Sequence, residues 1–304
     1  MRIGLALGSG GARGWCHIGV LRALEEAGLR PDVVAGTSMG ALVGAAYCSA
    51  SLDNLEDFAR SITPLSMARM VDLDLRSGGL VAGTAVMRAL ENLGLRSDFA
   101  DLDRPFIAVA TDLYRGRELW LREGALLPAV RASIAIPGIL TPVHIDNHWL
   151  LDGGMSNPIP VSACRALGAD IVVAVDPNAK NQTQVRAAAR RSLLPGVRPD
   201  AWVSRLPRHL QPAAAAYFTR SEDAAPQPPG YLDVLSTAID VMIDQIRRSR
   251  LAGDPPNVMV DLDLSHLNVL SFHEADTAIE RGHTAMMRQM HLVRAESGSD
   301  PLAN

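Results

Sequence analysis

Short, strongly apolar runs alternate with segments of helical periodicity over the first 180 residues. The runs that suit buried strands lie at 3–7, 32–35, 106–110, 118–121, 148–151 and 171–175. Helical patterns follow the first two runs, over about 14–27 and 41–50, and another helix precedes the last run and ends near Gly168. Strands separated by helices in this way predict an α/β fold whose central sheet is mainly parallel and covered on both faces.

The character of the chain changes over about 180–230. Prolines are frequent there, and the stretch from Lys180 to Arg220 carries eight basic residues against one acidic residue, Asp200. We interpret this stretch as a flexible insertion rather than a second domain. Its basic excess also predicts transient contact with an anionic membrane surface.

Beyond the insertion the periodic pattern returns. It predicts a long helix over about 231–251, a short strand near 258–260 and a final helix over about 272–293. We therefore expect a single domain over 1–304. Its motif-bearing core covers about 2–177, and its C-terminal helices cover about 231–294.

Composition and charge narrow the class of protein. Hydrophobic residues make up 48% of the 304 residues and charged residues 20%, as in an ordinary globular protein, and the net charge of −4 gives no indication of a nucleic-acid partner. Cys16, Cys48 and Cys164 lie far apart and form no CxxC pair, so neither a zinc site nor a disulfide framework is predicted. Small buried thiols in a reducing cytoplasm fit this usage, and no apolar stretch is long enough for a membrane span. Neither composition nor charge points to an oligomeric state.

The sharpest local motif is GTSMG at 36–40, which follows an apolar run and opens a helix. A G-x-S-x-G motif in that setting predicts a nucleophile elbow, in which Gly36 and Gly40 relieve crowding and Ser38 projects from the carboxyl end of the sheet. The neighbouring helix N-terminus would favour developing negative charge. The alternative is a small-residue turn with Ser38 as an ordinary helix N-cap.

A second glycine loop, GSGGARG at 8–14, follows the first strand. A phosphate-binding P-loop requires a Lys and a Ser or Thr that are absent here, and a dinucleotide loop requires glycine where Arg13 stands. The remaining alternatives are an oxyanion hole made of backbone amides, or a structural turn. If the first two strands are neighbours, this loop lies beside the elbow.

A third motif, Asp152-Gly153-Gly154, ends the strand predicted at 148–151. An aspartate at the carboxyl end of a strand, followed by two glycines, can sit close to the top of the sheet with little shielding. Taken alone, Asp-Gly is foremost a turn dipeptide.

Together the three motifs resemble the patatin-like phospholipase family, in its bacterial cytosolic branch and similar to the patatin domains of the neuropathy-target-esterase type. That family has a glycine-rich oxyanion loop with an Arg or Lys, a G-x-S-x-G elbow and a D-G-[G/A] motif, in the order found here. The stretch at 131–138 also resembles the segment that precedes the last motif in bacterial members. The resemblance covers about 2–177 and departs from the family at Ser9, where many members have glycine.

The resemblance implies a three-layer α/β/α fold and a serine acyl-ester hydrolase acting on lipid-like esters, such as phospholipids or lysophospholipids, without a cofactor. Ser38 would be the nucleophile and Asp152 its proton acceptor. The amides of Gly10, Gly11 and Ala12 would form the oxyanion hole, and Arg13 would orient the loop that begins at Gly8.

The histidines allow alternatives to a Ser-Asp dyad. His266, His273 and His283 lie late enough for a Ser-His-Asp triad, although only 37 residues precede Ser38, fewer than an α/β-hydrolase elbow usually has. A dyad predicts a pH profile without a limb near 6.5, the ordinary histidine pKa.

Two further groups of residues could suggest ligand sites. His17, on the first helix, is more simply a packing residue than a ligand. His144, Asp146 and His148 could suggest a metal site, but their spacing across a predicted turn is more typical of a polar hairpin tip.

Two other classes of function share these motifs. An acyltransferase with the same serine chemistry usually has a histidine before the elbow serine, where this chain has Thr37. A regulatory protein that retains the fold is the other alternative, and the intact motifs argue against lost catalysis.

Overall fold

The computed structural model describes residues 1–70, 79–81, 83–179 and 231–298. The strands within these ranges are β1 Ile3–Leu7, β2 Val33–Thr37, β3 Gly79–Val81, β4 Phe106–Asp112, β5 Glu118–Leu121, β6 Gly138–Leu140, β7 Val143–Ile145, β8 His148–Asp152, β9 Ile171–Asp176 and β10 Val258–Asp261. The helices are α1 Cys16–Glu26, α2 Met39–Cys48, α3 Leu52–Ser61, α4 Pro64–Met70, α5 Thr84–Glu91, α6 Leu126–Ser133, α7 Val161–Ala166, α8 Tyr231–Gly253 and α9 Ala275–Ser297. The insertion predicted at about 180–230 lies outside the described residues.

The central sheet runs in the order β10-β9-β1-β2-β4-β8-β7. The first five strands of this order are parallel, whereas β8 pairs antiparallel with β4, and β7 with β8. β5 also pairs antiparallel with β4. The carboxyl ends of β1, β2, β4 and β9 therefore meet at one edge of the sheet. β8 runs in the opposite direction, but it begins beyond this edge, and its last residue, Asp152, lies opposite Ala110 of β4 in the same region.

Helices cover both faces of this sheet. On one face the largest apolar cluster joins alternate residues of the strands to α1, α2 and α9. On the other face a second cluster joins the remaining strand residues to α7 and to Leu251 of α8. The three-layer α/β/α class is confirmed, with antiparallel strands added at one side of the parallel core.

Strand composition explains the layering. β1 and β9 are buried along their whole length, as β-branched and apolar strands covered on both faces should be. α2 is buried all round, because it lies between the sheet and the helices outside it. Its small residues permit that close packing.

The C-terminal helix α9 belongs to the core. It packs along α1, where a Cβ atom on Gly19 would collide with the carbonyl oxygen of Ile279, and one on Gly282 with that of Cys16. Backbone contact this close excludes any side chain at the crossing. The sequence placed a helix here but did not reveal its partner.

Candidate active site

Ser38 occupies a strained turn between β2 and α2. Its backbone has φ 56° and ψ −124°, a conformation that residues with a side chain rarely adopt. A Cβ atom on Gly36 would collide with the backbone of Gly40, and one on Gly40 with the carbonyl oxygen of Leu7. Both glycines are therefore required for α2 to begin directly over the end of β1.

The turn brings the Ser38 hydroxyl against the Asp152 carboxylate. Ser38 Oγ donates to Asp152 Oδ2 at 2.6 Å, and both residues are buried, with 3% and 4% of their surfaces exposed. Asp152 Oδ1 accepts the amide hydrogen of Gly154 at 2.7 Å. A Cβ atom on Gly153 would collide with the carbonyl oxygen of Val109, so this glycine lets the chain turn away beside β4. The first and third motifs, separated by 114 residues, thus form one site.

Burial makes Asp152 a stronger base than an ordinary aspartate. Desolvation raises the pKa of Asp152 from 3.8 to about 6, against the opposing hydrogen bonds from Ser38 and Gly154. With Asp152 as the proton acceptor, the pH profile of activity is expected to show a limb near pH 6 that belongs to this aspartate. Contrary to the expectation from the sequence, such a limb does not distinguish a Ser-Asp dyad from a triad with histidine.

Ser133, at the end of α6, joins the backbone of the elbow to the backbone of β4. Its Oγ accepts the Ser38 amide hydrogen at 2.9 Å and donates to the carbonyl oxygen of Val109 at 2.5 Å. Two residues later, the Ala135 carbonyl accepts the Asp152 amide hydrogen at 2.9 Å. One short segment thus positions the backbones of both Ser38 and Asp152. Sequence analysis noted the segment at 131–138 but assigned no role to Ser133.

The glycine loop lies beside the elbow because β1 and β2 are paired, with Leu7 opposite Gly36. Gly11 has φ +54°, and a Cβ atom there would collide with the carbonyl oxygen of Val269. Among the described residues, the amides of Gly10 and Gly11 have no acceptor.

The amide of Ala12 is different. It donates to the Val269 carbonyl at 2.8 Å, so its hydrogen is already used. We correct the expectation that Ala12 contributes to an oxyanion hole. A hole built on this loop has the Gly10 and Gly11 amides as its donors.

Arg13 holds the loop and does not hydrogen-bond to Ser38 or Asp152. Its Nε donates to the Leu267 carbonyl at 2.9 Å, and one terminal nitrogen donates to Asn178 Oδ1 at 2.8 Å. Asn178 Nδ2 in turn donates to the Ser9 carbonyl at 2.7 Å. Burial lowers the pKa of Arg13, while Asp240, Asp263 and Asp176 act in the opposite direction.

His17 fixes the start of the same loop. Its Nε2 lies 2.8 Å from the Gly8 carbonyl oxygen, and burial lowers the pKa of His17 to about 4. The ring is therefore neutral at pH 7, and Nε2 carries the hydrogen that the carbonyl accepts. The amide of Ser9, in the same peptide group as the Gly8 carbonyl, donates to the Pro158 carbonyl at 2.8 Å.

The remaining histidines make no hydrogen bond to Ser38 or Asp152 in the described part of the chain. His283 instead lies 2.9 Å from Glu26. The hairpin tip predicted around His144 and His148 is present as β7 and β8, joined by a turn with positive φ at Asp146 and Asn147. No His, Cys, Asp and Glu side chains of the described ranges converge in a group that could hold a metal ion.

Comparisons with known proteins identify the family of the chain. The model of the family described as patatin-like phospholipase matches residues 5–165. An uncharacterised NTE family protein of Mycobacterium tuberculosis is 33% identical over 321 residues, which cover 92% of this chain and 89% of that protein. Human patatin-like phospholipase domain-containing protein 6 is 36% identical over 190 residues, covering 60% of this chain and 14% of that protein, and mouse patatin-like phospholipase domain-containing protein 7 is 33% identical over the same shares.

The family match begins within β1 and ends within α7, so it takes in the glycine loop, the elbow and the aspartate motif. The mycobacterial relative extends the likeness over most of the remaining chain. The chain belongs to the patatin-like phospholipase family.

Proposed function

We propose that the chain is a serine acyl-ester hydrolase that cleaves lipid-like esters through a Ser38–Asp152 dyad. The observation that carries the proposal is the 2.6 Å hydrogen bond from Ser38 Oγ to a buried carboxylate, made from a strained elbow. Membership of the patatin-like phospholipase family supports lipid acyl hydrolysis as the general activity.

In the acylation step, Ser38 Oγ attacks the ester carbonyl carbon and its proton passes to Asp152 Oδ2. The tetrahedral oxyanion accepts hydrogen bonds from the amides of Gly10 and Gly11. Collapse of the intermediate breaks the bond to the alkoxy oxygen, and Asp152 returns the proton to the leaving alcohol. The products of this step are the free alcohol and an acyl ester on Ser38.

In the deacylation step, a water molecule attacks the acyl carbonyl while Asp152 takes one of its protons. The same amides hold the second oxyanion, and Asp152 returns the proton to Ser38 as the fatty acid leaves. A carboxylate whose pKa is about 6 binds a proton about 100-fold more tightly than one at the ordinary value, which makes Asp152 a better acceptor in both steps.

The nucleophile is tested with a fluorophosphonate probe and mass spectrometry. Ser38 should carry the adduct, and Asp152→Asn should slow its formation by orders of magnitude. Ser9→Ala is the matched control. Ser9 lies beside Gly154 in the same site, but the hydrogen-bond donors to the Asp152 carboxylate within the described residues are Ser38 and Gly154, not Ser9. Labelling of active protein at any residue other than Ser38 would refute the assignment.

The substrate class is tested by hydrolysis profiling. Phospholipids, lysophospholipids and simple esters of several acyl lengths are compared for wild type and for Ser38→Ala. We expect hydrolysis of lipid-like esters by the wild type alone. Equal release of fatty acid by both proteins would contradict the proposed activity.

A cytoplasmic location is part of the proposal. Cys16, Cys48 and Cys164 are all buried free thiols, as is usual in a reducing compartment. In the described residues, no helix has the length and apolar character needed to cross a bilayer.

A further inference from the structure

Two hairpin tips next to the dyad expose large apolar side chains. Leu113 and Tyr114 follow β4 in the turn that leads to β5, and Trp149 lies on β8 close to its turn with β7. The exposed fractions are 41% for Leu113, 81% for Tyr114 and 43% for Trp149. The amide of Leu113 donates to the Trp149 carbonyl at 2.8 Å, so the two tips adjoin. We call these three residues the aromatic tip.

The strand register places the aromatic tip above the dyad. Ala110 of β4 lies opposite Asp152 of β8, and Leu113 and Trp149 each stand three residues further out along their chains. At about 3.3 Å per residue, the tip projects roughly 10 Å beyond Asp152 in the direction in which the parallel strands end. A flat surface that meets the aromatic tip therefore faces the edge of the sheet that carries Ser38.

The exposed charges at the two turns of the aromatic tip are two arginines and one aspartate. Arg115 and Arg117 are exposed in the same turn as Tyr114, and the exposed acidic residue of the neighbouring turn is Asp146. The Asp112 carboxylate is buried and accepts hydrogen bonds from the amides of Tyr114 and Arg115.

Two histidines complete these surroundings. Asp112 also lies 2.6 Å from Nδ1 of His148, and the ring of His144 packs against Trp149, with 5.0 Å between the ring centroids. Asp112 also lies 4.0 Å from the Arg115 guanidinium. Around the aromatic tip, Arg115 and Arg117 thus balance Asp112 and Asp146 in formal charge, but both arginines are exposed whereas Asp112 is buried.

The type of side chain indicates the partner. A single exposed apolar residue is ordinary on a protein surface and needs no explanation. Tryptophan and tyrosine together, with arginine beside them, have the composition that favours the boundary between a bilayer and water, where the rings lie among the lipid head groups. The arginines are complementary to anionic lipids.

We propose that the aromatic tip docks on the surface of an anionic lipid bilayer and turns the dyad edge of the sheet toward it. This inference rests on the proposed lipid substrate for its purpose, but its test measures binding rather than hydrolysis. The occupant is the lipid surface itself, and insertion is shallow, because only two aromatic side chains and one leucine project.

The test compares binding to vesicles of phosphatidylcholine with and without phosphatidylglycerol. We expect the wild type to bind the anionic vesicles, and Tyr114→Ala/Trp149→Ala to bind them at least about tenfold more weakly, as expected for loss of two inserted rings. The matched control is Met287→Ala/Leu292→Ala, which removes two side chains of α9 that are exposed by 46% and 43%. It should bind like the wild type.

Several outcomes overturn the inference. They are absence of wild-type binding, equal binding by the aromatic-tip variant, or an equal loss in the control. A wild-type dimer that the aromatic-tip variant converts to a monomer would assign the surface to a second copy of the chain instead. Turnover of a short soluble ester, measured in parallel, should be the same in all three proteins. Turnover absent from every one of them counts against the proposed hydrolase, separately from the vesicle result.

Discussion

Replacing Asp152 by asparagine is expected to stabilise the folded protein while it removes the proposed base. Asp152 is 4% exposed and its carboxylate accepts hydrogen bonds from Ser38 Oγ and from the Gly154 amide. An asparagine oxygen can still accept from Gly154, and its amide nitrogen can donate to Ser38. The variant therefore keeps the shape and the hydrogen bonds but has no charge to bury.

The raised pKa of Asp152 sets the size of the effect. Burial moves this pKa from 3.8 to about 6, a difference of about two pH units, and each unit corresponds to about 1.4 kcal/mol. Since the folded-state pKa is the higher one, the folded protein binds a proton between pH 4 and 6 that the unfolded chain does not. The stability linked to this proton is present below pH 4 and is lost as the pH rises through 6. The variant should thus exceed the wild type by about 3 kcal/mol above pH 7 and match it near pH 4.

The assay is urea unfolding of both proteins at pH 4 and pH 8. Asp112→Asn is a control of opposite sign, because hydrogen bonds from His148 and from the amides of Arg115 and Tyr114 lower the pKa of Asp112. Its carboxylate stabilises the fold above the ordinary pKa, and that stability is lost as the pH falls. Asp112→Asn should therefore be less stable than the wild type at pH 8. An Asp152→Asn protein that is no more stable than the wild type at pH 8 would show that burial does not raise this pKa.

Three further predictions concern the supports of the site. Ser38→Gly should be more stable to urea than Ser38→Ala by about 1 kcal/mol, because glycine tolerates φ 56°. Gly11→Ala should lower turnover by about 10²-fold or more in activity assays, because the loop must move away from a backbone oxygen. The control is Gly28→Ala, at φ +71° with open space around it, which should melt at a lower temperature by circular dichroism but keep its turnover. Asn178→Ala should lower kcat about tenfold or more with little change in KM, since it removes the link between Arg13 and the Ser9 carbonyl, and an equal rise in KM would contradict that role.

The sequence predicted the strands and the two glycine turns because their signals are local. β1, β2 and β9 are apolar throughout, and the elbow has glycines on both sides of Ser38. The strand that ends at Asp152 was also predicted, but its antiparallel direction was not. Strand direction depends on the connections. The short stretch between β7 and β8 leaves no room for a crossover and makes these two strands antiparallel, but the direction of β8 relative to β4 is set by the longer connection from β4 through α6.

The supports of the glycine loop could not be predicted in the same way. Arg13 donates to a carbonyl 254 residues away, at Leu267, and Ala12 donates to the carbonyl of Val269. A backbone carbonyl acceptor has no side-chain signature, so nothing in the motifs indicates that the C-terminal third holds the glycine loop. A large residue at Gly11 should therefore disturb the packing of the C-terminal third as well as the loop, because the added atoms meet the segment around Val269.

The pH profile alone cannot separate a dyad from a triad in this site. A buried aspartate with a pKa of about 6 and a histidine with its ordinary pKa of about 6.5 give acidic limbs that overlap. Substitution separates the dyad from the triad. A limb that belongs to Asp152 should be absent from the pH profile of the residual activity of Asp152→Asn, and it should persist in the profiles of His266→Ala and His283→Ala. The same burial that costs stability at neutral pH raises the basicity of the carboxylate proposed to accept the Ser38 proton, and the two effects should be lost together in Asp152→Asn.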